Sequence, residues 1–416
     1  MKPSRHDMGH PPPDRGKPLL AIVGGPDLAA RVPLLRQLAA RFCVHALGSS
    51  ATAVASIRAA GFAADEYPLS RRVAPLGDLR ALRALRAAFA RLRPDVVHSF
   101  DTKPGILASL AARRARVPAV VTTITGLGSL FASEDLGTRA LRCIWTALQR
   151  AASRAAAVTV FQNHDDLEQM VAAGVVSRAR TAVVLGSGVD TDTFSAARAG
   201  PDARRAVRSE LGLPMDADVV AMIARVTRSK GVAEFAAAAR IARTTHPRAH
   251  FLLVGPEDPD SRLRLTADEV AALRRDLVWP GRRDDVARVL AAADLFVLPT
   301  AYREGIPRVL LEAAAMGLPL VATDSPGCNE VVIDGVDGLL VPVGDLGALA
   351  AAIGHLLADP ELRARMGAAA RRRAVATFDL RLIANQYEAI YRDLLVRRPC
   401  QTATVGSSPF WNSTSR

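Results

Sequence analysis

The feature that most restricts the fold of this sequence is an alternation of short apolar runs and helical segments that is completed once and then starts again. The first series begins with LLAIVGG (19–25) and the second with DVVAMIAR (218–225). Apolar runs of this length, separated by helical segments, are typical of parallel strands buried on both faces. The pattern therefore predicts an α/β protein with two Rossmann-like domains in tandem.

Both series supply a full set of strands and helices. We expect strands at 19–25, 42–48, 95–100, 119–125, 157–163 and 181–188 in the first series. In the second series we expect them at 218–225, 250–256, 277–281, 295–300, 319–324 and 339–342. Helices are expected at 28–41, 51–60, 231–246, 284–292, 306–316 and 379–396.

The chain divides into two domains and three smaller segments. The linker is expected near 188–205, where the sequence becomes polar and contains Gly200-Pro201. Polar ends of this composition cannot bury enough apolar surface to fold alone. The predicted division is a disordered lead-in (1–17), a first domain (18–190), a second domain (191–378), a C-terminal helix packing back on the first domain (379–397) and a disordered tail (398–416).

The basic surplus of the chain lies mainly in its first half. The 416 residues carry a formal charge of +13, of which residues 1–195 hold +10. The surplus is concentrated at Arg71 and Arg72 and in two helical segments, 79–93 and 138–154, which alternate Arg with Leu, Phe or Trp. Such segments are either solvated helix faces or a surface for anionic lipid, where each basic residue contributes about 1 kcal/mol.

Other composition features exclude several classes of protein. Aromatic residues make up only 5% of the chain, which argues against a binder of single-stranded nucleic acid. The four cysteines (Cys43, Cys143, Cys328 and Cys400) form no CxxC pair, so neither a zinc site nor a redox motif is expected. The N-terminus lacks the apolar core of a signal peptide, and no run of about 18 uncharged apolar residues occurs. We therefore expect a cytoplasmic protein that lies on a membrane if it meets one.

The segment YREGIPRVLLEAAAMGLP (302–319) is the most informative motif. It places Glu304 in a loop, Pro307 in the first turn of a helix and Glu312 on the second turn. We expect the N-terminus of this helix to present the amides of Gly305, Ile306, Arg308 and Val309. A helix N-terminus favours an anion such as a diphosphate. Taken alone, the same pattern also fits a helix with two ordinary glutamates.

Two cations and a glycine are expected near this helix. Arg225 follows the first strand of the second series, and Lys230 lies five residues further on. Gly255 ends the next strand, where it lets the backbone approach a ligand closely. Open α/β sheets bind ligands at the carboxyl ends of their strands, so Arg225 and Lys230 can clamp a phosphate pair there. The alternative is that both are ordinary surface charges.

These elements together resemble a known family. The order R-x4-K-G, a strand ending in VGP, PGRRDDV, ADLFVLPT and E-G-x-P-x4-E-A-x-A-x-G-x-P resembles the family 4 (group 1) glycosyltransferases over nearly all of 218–378. The resemblance implies the GT-B fold, in which two Rossmann-like domains face each other across a cleft. It implies that the second domain binds a nucleotide sugar, and it favours UDP over GDP or ADP as the nucleotide.

The resemblance also assigns roles to individual residues. It implies that Arg225 and Lys230 bind the donor diphosphate and that Glu304 meets the hydroxyls of the donor sugar. It implies that Glu312 hydrogen-bonds the ribose and that the backbone near Arg282 and Arg283 lies by the nucleobase. Gly255, Gly305, Ile306, Arg308 and Val309 complete the expected donor site.

The first half resembles the branch of the family that builds bacterial surface polysaccharides. The similar segments are DVVHSFDTKPGILASLAAR (95–113), VPAVVTTITGLG (117–128), VFQNHDD (160–166) and GSGVDTDTF (186–194). This implies an acceptor glycan on a polyprenyl diphosphate carrier, met at the inner face of the cell membrane. Many relatives carry a His where this chain has Thr125, and no long glycine-rich loop follows the first strand. The acceptor-side candidates are Gly24, Gly25, His98, Lys103 and Thr125.

The expected reaction is retaining sugar transfer without a metal or other cofactor. Fixed cations and a helix N-terminus would stabilise the charge on the leaving phosphate. No DxD motif stands at a strand end to suggest a metal. A glycosidase pair is rejected, because Glu304 and Glu312 are spaced too far apart to flank one sugar as retaining hydrolases require.

Other functions remain as alternatives. A nucleotide-sugar 2-epimerase shares the two-domain architecture and would need no acceptor. A dehydrogenase is weaker, because no G-x-G-x-x-G follows LLAIVGG. The non-enzyme alternative is a basic nucleic-acid-binding protein, against which the low aromatic content and the absence of a recognised module count.

Overall fold

The protein folds into two successive α/β domains. The computed structural model describes residues 16–70, 74–128, 136–259, 261 and 263–397. The strands of the first domain are β1 (Leu19–Val23), β2 (Cys43–Gly48), β3 (Ala63–Glu66), β4 (Val96–Phe100), β5 (Ala119–Ile124), β6 (Val158–Phe161) and β7 (Thr181–Val183). Those of the second are β8 (Asp218–Ile223), β9 (Ala249–Val254), β10 (Val278–Gly281), β11 (Leu295–Leu298), β12 (Leu320–Thr323) and β13 (Gly338–Val341).

Each domain is built on one parallel sheet. The strand orders are β3-β2-β1-β4-β5-β6-β7 and β10-β9-β8-β11-β12-β13. β1 lies between β2 and β4, and β8 lies between β9 and β11. In both sheets the chain therefore winds outward from its first strand, first to one side and then to the other. The crevice at such a reversal, outside the carboxyl ends of the strands, is where open α/β sheets bind ligands.

Helices cover both faces of the sheets. In the first domain they are α1 (Val32–Leu38), α2 (Ala51–Ala59), α3 (Pro75–Leu92), α4 (Thr102–Arg114), α5 (Leu136–Ala155) and α6 (His164–Ala172). They continue with α7 (Ala196–Glu210), α8 (Val232–Thr245), α9 (Ala267–Asp276), α10 (Val286–Ala291), α11 (Arg308–Ala315), α12 (Cys328–Val331), α13 (Leu346–Ala358), α14 (Pro360–Thr377) and α15 (Leu380–Val396). On the first sheet, α1 and α2 pack on one face, and α3 and α4 pack on the other.

The last helix returns to the first domain. Ile383, Tyr387 and Tyr391 of α15 are buried in one apolar cluster with Leu20 and Ile22 of β1. α15 is amphipathic, and its apolar stripe packs on the same face of the first sheet as α1 and α2. The helix therefore ties the end of the chain to the domain where the chain began.

The two segments that cross between the domains lie side by side. Val189 donates to the carbonyl of Phe378 at 2.9 Å and accepts from the amide of Leu380 at 2.9 Å. Asp379 caps α15, accepts a hydrogen bond from Thr191 and pairs with Arg381 at 2.7 Å. Hydrogen bonds and an ion pair therefore fix the two crossing segments to each other at the domain junction.

The structure differs from the sequence expectations in a few places. β3 was not expected, because AADE contains no apolar run and forms the edge of the sheet. The expected linker at 188–205 is too long, since α7 already begins at Ala196 and bends at Gly200, whose φ is 71°. The segments expected to be helical also do not include α4, α6, α7, α9, α12, α13 and α14. The lead-in up to residue 15, Arg71, Arg72 and the tail 398–416 lie outside the described residues.

Within the described part of the chain, no helix combines the length and the apolar character that crossing a bilayer requires.

Candidate functional site

The carboxyl ends of the two sheets border a common cleft of about 320 Å³. Both domains supply polar side chains to it. Of the residues that the sequence singled out, the cleft is lined by Arg225, Lys230, Glu304, Ile306, Arg308, Val309 and Thr125. The cleft therefore combines most of the expected donor side with one member of the expected acceptor side.

The N-terminus of α11 points its backbone amides at this cleft. The helix begins at Arg308, with Pro307 as the N-cap and not in the first turn as expected. The amides of Ile306, Arg308 and Val309 have no hydrogen-bond acceptor among the described residues. Amides of this kind, at the positive end of a helix, favour an anion. Gly305 departs from the expectation, because its amide donates to the carbonyl of Thr125 at 2.9 Å and is not available to a ligand.

Lys230 and Glu304 form an ion pair in the cleft. Their side chains are only 13% and 19% exposed, and the Nζ of Lys230 lies 2.5 Å from Oε1 of Glu304. Lys230 also lies 5.2 Å from the centroid of the Tyr302 ring. Arg225 is more open, with 57% of its side chain exposed, and pairs with Asp258 at 2.7 Å. Two cations and one carboxylate thus stand beside the N-terminus of α11.

Glu312 lies next to the main cleft and not within it. It lines a smaller cavity of about 50 Å³, which shares Arg31, Ser187 and Arg308 with the main cleft. Glu312 is 6% exposed and accepts a hydrogen bond from Nη2 of Arg308 at 3.0 Å. Burial raises the pKa of this carboxyl group. A donor that reaches both Lys230 and Glu312 would extend along the first turn of α11.

The first domain contributes cleft residues that were not among the candidates from the sequence, including Asp101, Arg31 and Gln162. Asp101 follows β4 with a positive φ of 71°, and its Oδ1 accepts from Oγ1 of Thr125 at 2.9 Å. Arg31 lies 3.6 Å from the same oxygen and donates to Ser187 at 2.9 Å. Backbone strain of this kind in a non-glycine residue concentrates at functional sites.

Gln162 is the third of these residues. It is 4% exposed, lines the cleft, and its Nε2 has no hydrogen-bond partner among the described residues. A buried amide nitrogen without a partner is costly, so it is expected to meet a ligand or water. Asp101 and Gln162 each follow directly after a buried strand, and that position was the signal available in the sequence.

Glycines allow the loops of the two domains to touch beside Glu304. A Cβ at Gly305 would lie 2.3 Å from Oε1 of Gln162 and 2.6 Å from the carbonyl of Thr125. A Cβ at Gly126, whose φ is 121°, would lie 2.6 Å from the amide of Gly305. These distances exclude any side chain at either position without movement of the backbone.

The loop that carries Glu304 is also held by Asn163, which lies just before α6 in the first domain. Asn163 is fully buried, and its Nδ2 donates to the carbonyls of Gly305 at 2.9 Å and Glu304 at 3.2 Å. Side-chain contacts also join the domains here, between His164 and Glu330 at 2.7 Å, Asn329 and Asp165 at 3.1 Å, and Arg303 and Asp166 at 3.1 Å. The backbone that carries Glu304 is therefore positioned by both domains.

Two acceptor-side candidates lie away from the cleft, and those expectations are corrected. His98 is fully buried, and its ring nitrogens contact the hydroxyls of Tyr391 at 2.5 Å and Thr123 at 2.7 Å. Burial holds the pKa of His98 well below its usual value. Lys103 pairs with Asp78 at 2.6 Å and donates to the carbonyl of Ser70 at 2.8 Å. His98 therefore links β4 to β5 and to α15, whereas Lys103 links α4 to α3 and to the segment of Ser70.

The remaining glycines and Arg282 do not line the described cleft. The carbonyl of Gly24 accepts from the hydroxyl of Tyr67 at 3.1 Å, whereas a Cβ at Gly25 would lie 3.4 Å from Oδ2 of Asp101. Gly255 is required by packing, since a Cβ there would lie 1.8 Å from the carbonyl of Ala224. Arg282 is exposed and pairs with Asp284 at 3.0 Å.

Comparison with known proteins agrees with this architecture. The family model described as "Glycosyl transferases group 1" matches residues 203–373, and the "Glycosyl transferase 4-like domain" matches residues 27–186. Among solved structures, that of the Anabaena protein HepE in complex with UDP and glucose superposes with a TM-score of 0.74 at 19% identity. The superposition covers 90% of this chain and 99% of that one. This likeness confirms the expected GT-B fold.

Two curated relatives cover most of the chain. The alpha-maltose-1-phosphate synthase of Mycolicibacterium smegmatis is 32% identical over 75% of this chain and 85% of its own length. The Escherichia coli UDP-Gal:alpha-D-GlcNAc-diphosphoundecaprenol alpha-1,3-galactosyltransferase is 28% identical over 79% of this chain and 83% of its own length. Taken with the two family models and the cleft geometry, these matches show that the chain belongs to the group 1 glycosyltransferases.

Proposed function

We propose that this glycosyltransferase moves a sugar from a UDP-sugar to a glycan carried on a polyprenyl diphosphate, with retention of the anomeric configuration. The observation that carries the proposal is the set of cations and helix amides in the cleft, which faces polar side chains of the first domain. Arg225, Lys230 and the amides of Arg308 and Val309 form the diphosphate side. Asp101 and Gln162 form the acceptor side.

The chemical step breaks the bond between the anomeric carbon and the diphosphate oxygen and forms a bond from that carbon to the acceptor oxygen. Negative charge develops on the leaving phosphate, where Lys230 and the α11 amides can stabilise it. The acceptor hydroxyl gives its proton to an oxygen of the leaving phosphate on the same face of the sugar. The new bond then forms on the face that the diphosphate leaves, which is retention.

Glu304 has a positioning role in this proposal and forms no covalent bond to the sugar. Its carboxylate already accepts from Lys230, and its carbonyl is held by Asn163. A carboxylate fixed in this way is suited to accept hydrogen bonds from donor sugar hydroxyls. We propose further that the reaction needs no metal, because fixed cations and helix amides serve the diphosphate.

A polyprenyl-linked acceptor lies in a membrane, and α3 and α5 of the first domain carry exposed side chains that suit a membrane surface. Leu76 and Leu79 of α3 and Leu141, Ile144 and Leu148 of α5 are exposed apolar side chains. Arg80, Arg83 and Arg86 of α3 and Arg139 of α5 are exposed among them. An apolar stripe with flanking arginines suits the interface of an anionic bilayer. We therefore propose peripheral binding at the inner face of the cell membrane, with no nucleic-acid partner.

The test is transfer by purified protein from a panel of nucleotide sugars to a polyprenyl-diphosphate-linked glycan, with the anomeric configuration of the product read by NMR. We expect product from UDP-sugars in the presence of a metal chelator, and retention at the anomeric carbon. A product of inverted configuration would contradict retention. Activity that is lost with chelator and restored by a divalent metal would contradict metal independence. Isomerised nucleotide sugar without acceptor would favour the 2-epimerase alternative.

A further inference from the structure

A second polar cavity lies in the first domain, away from the cleft. Its volume is about 420 Å³, and its walls come from the C-terminal half of α5, the start of β6 and the loop after α6. Thr159 lies in this cavity and Gln162 lies in the cleft, three residues apart along one segment. At about 3.3 Å per residue this separates the two along the strand by about 10 Å. The cavity therefore opens at the other end of β6.

The cavity is lined by arginines and by no acidic residue among the described ones. Arg150, Arg154 and Arg180 contribute to its walls. Arg150 is held in place, because its guanidinium donates to the carbonyls of Gly174 at 2.9 Å and Ala173 at 3.2 Å. Arg154 and Arg180 make no side-chain hydrogen bond or ion pair with the described part of the protein. Three positive charges thus meet without a carboxylate to balance them.

Buried hydroxyl groups face the same space. Thr159 is 1% exposed and lines the cavity, yet its side chain forms no hydrogen bond with any described residue. Ser153 is 7% exposed and accepts from Nε2 of Gln149 at 3.3 Å, which leaves its own proton available to donate. A hydroxyl on the wall of a cavity that has no protein partner is available to a ligand or to water. Hydroxyl groups and guanidinium groups therefore line the same cavity.

We propose that this cavity, named here the β6 base site and formed by Arg150, Arg154, Arg180, Ser153 and Thr159, binds a phosphate-bearing anion. Guanidinium groups bind phosphate oxygens with paired hydrogen bonds, and hydroxyls can add further donors. The volume accommodates a phosphate or diphosphate group with its ordered water. The inference does not depend on the proposed function, because none of its residues lines the cleft.

The experiment measures the binding of inorganic phosphate and diphosphate by calorimetry. A background variant with Arg225→Ala and Lys230→Ala removes the cleft cations, so that the remaining signal reports the β6 base site. We expect Arg154→Glu with Arg180→Glu in this background to weaken binding by about tenfold or more. Arg113→Glu with Arg114→Glu, on the exposed end of α4, is the matched control for charge and is expected to bind as the background does.

Two further measurements complete the test, one on a conservative variant and one on lipid vesicles. Thr159→Val keeps the shape of the side chain and removes its hydroxyl, and we expect it to weaken binding while the fold is retained. Vesicles containing phosphatidic acid distinguish a lipid head group from a free anion as the source of the phosphate. Binding of vesicles or of free anion that depends on Arg154 and Arg180 supports the site. Equal binding by all variants in both arms, or equal loss in the Arg113/Arg114 control, would overturn it.

Discussion

Lys230 and Glu304 neutralise each other inside the cleft: the ammonium group donates to the carboxylate over 2.5 Å, and both side chains are largely buried. A diphosphate that approaches Lys230 therefore meets a cation that already has a partner. The pair keeps both charges satisfied before a donor arrives, since an unpaired buried charge is costly. It also places the predicted sugar-binding carboxylate directly beside the predicted phosphate-binding cation.

The first prediction concerns this pair. We expect Glu304→Ala and Lys230→Ala each to lower kcat/KM by about 10²- to 10³-fold, because the proposal has Lys230 stabilise the leaving phosphate and Glu304 position the sugar, and each loss leaves the partner unpaired. The double substitution should cost much less than the product of the two single effects. Initial rates with a UDP-sugar and lipid-linked acceptor measure this, and circular dichroism checks the fold. Single substitutions that act independently would contradict the coupling.

The second prediction concerns Asn163. Its amide holds the backbone carbonyls of Glu304 and Gly305 from the other domain. We expect Asn163→Ala to lower kcat about tenfold, because Glu304 loses its fixed position although its side chain is unchanged. Asn329→Ala is the matched control, since the side chain of Asn329 also bridges the domains, through Asp165, but makes no hydrogen bond with residues 302–306. Equal loss in both variants would assign the effect to domain contact in general.

The third prediction concerns acid stability at the domain junction. The hydrogen bond from Arg381 lowers the pKa of Asp379 from its usual value to about 2. A lowered pKa stabilises the folded state above the unfolded pKa, and this contribution is lost as the pH falls from about 4 towards 2.

We therefore expect Asp379→Asn to lower the midpoint of urea unfolding at pH 7 and to have a progressively smaller effect as the pH approaches 2. The exposed Asp192, which also pairs with Arg381, supplies the control substitution Asp192→Asn with little expected effect. A difference between wild type and Asp379→Asn that stays constant from pH 7 to pH 2 would contradict the assignment.

The fourth prediction concerns the membrane. Changing Arg80, Arg83 and Arg86 to Glu should release the protein from anionic vesicles in a sedimentation assay, because each basic residue near the surface contributes about 1 kcal/mol. The control changes three exposed arginines of the second domain to Glu, namely Arg275, Arg365 and Arg372. Retained binding by the α3 variant, or equal loss by the control, would remove the membrane proposal.

Much of the fold could be predicted from the sequence because buried parallel strands are recognisable as apolar runs. β8 and β9 were recognised in this way, whereas β3 was missed because AADE at a sheet edge carries no such run. Part of the cleft lining was also predictable, since Glu304, Lys230 and Arg225 stand in spaced motifs next to strand ends. Their roles in donor binding stay predictions. His98 was misplaced, because a histidine at the end of a strand pattern looks the same whether it faces a cleft or the core.

The sequence by itself determined two α/β domains and the set of residues at the carboxyl ends of their strands, because local periodicity specifies which segments are buried and how they alternate. The tertiary structure alone decided which of those residues meet. Asp101 and Gln162 became cleft residues, His98 became a core residue bonded to Tyr391, and the Gly305 amide was taken by Thr125. These outcomes depend on contacts between segments far apart in the chain, such as α15 on the first sheet. Local patterns do not encode those contacts.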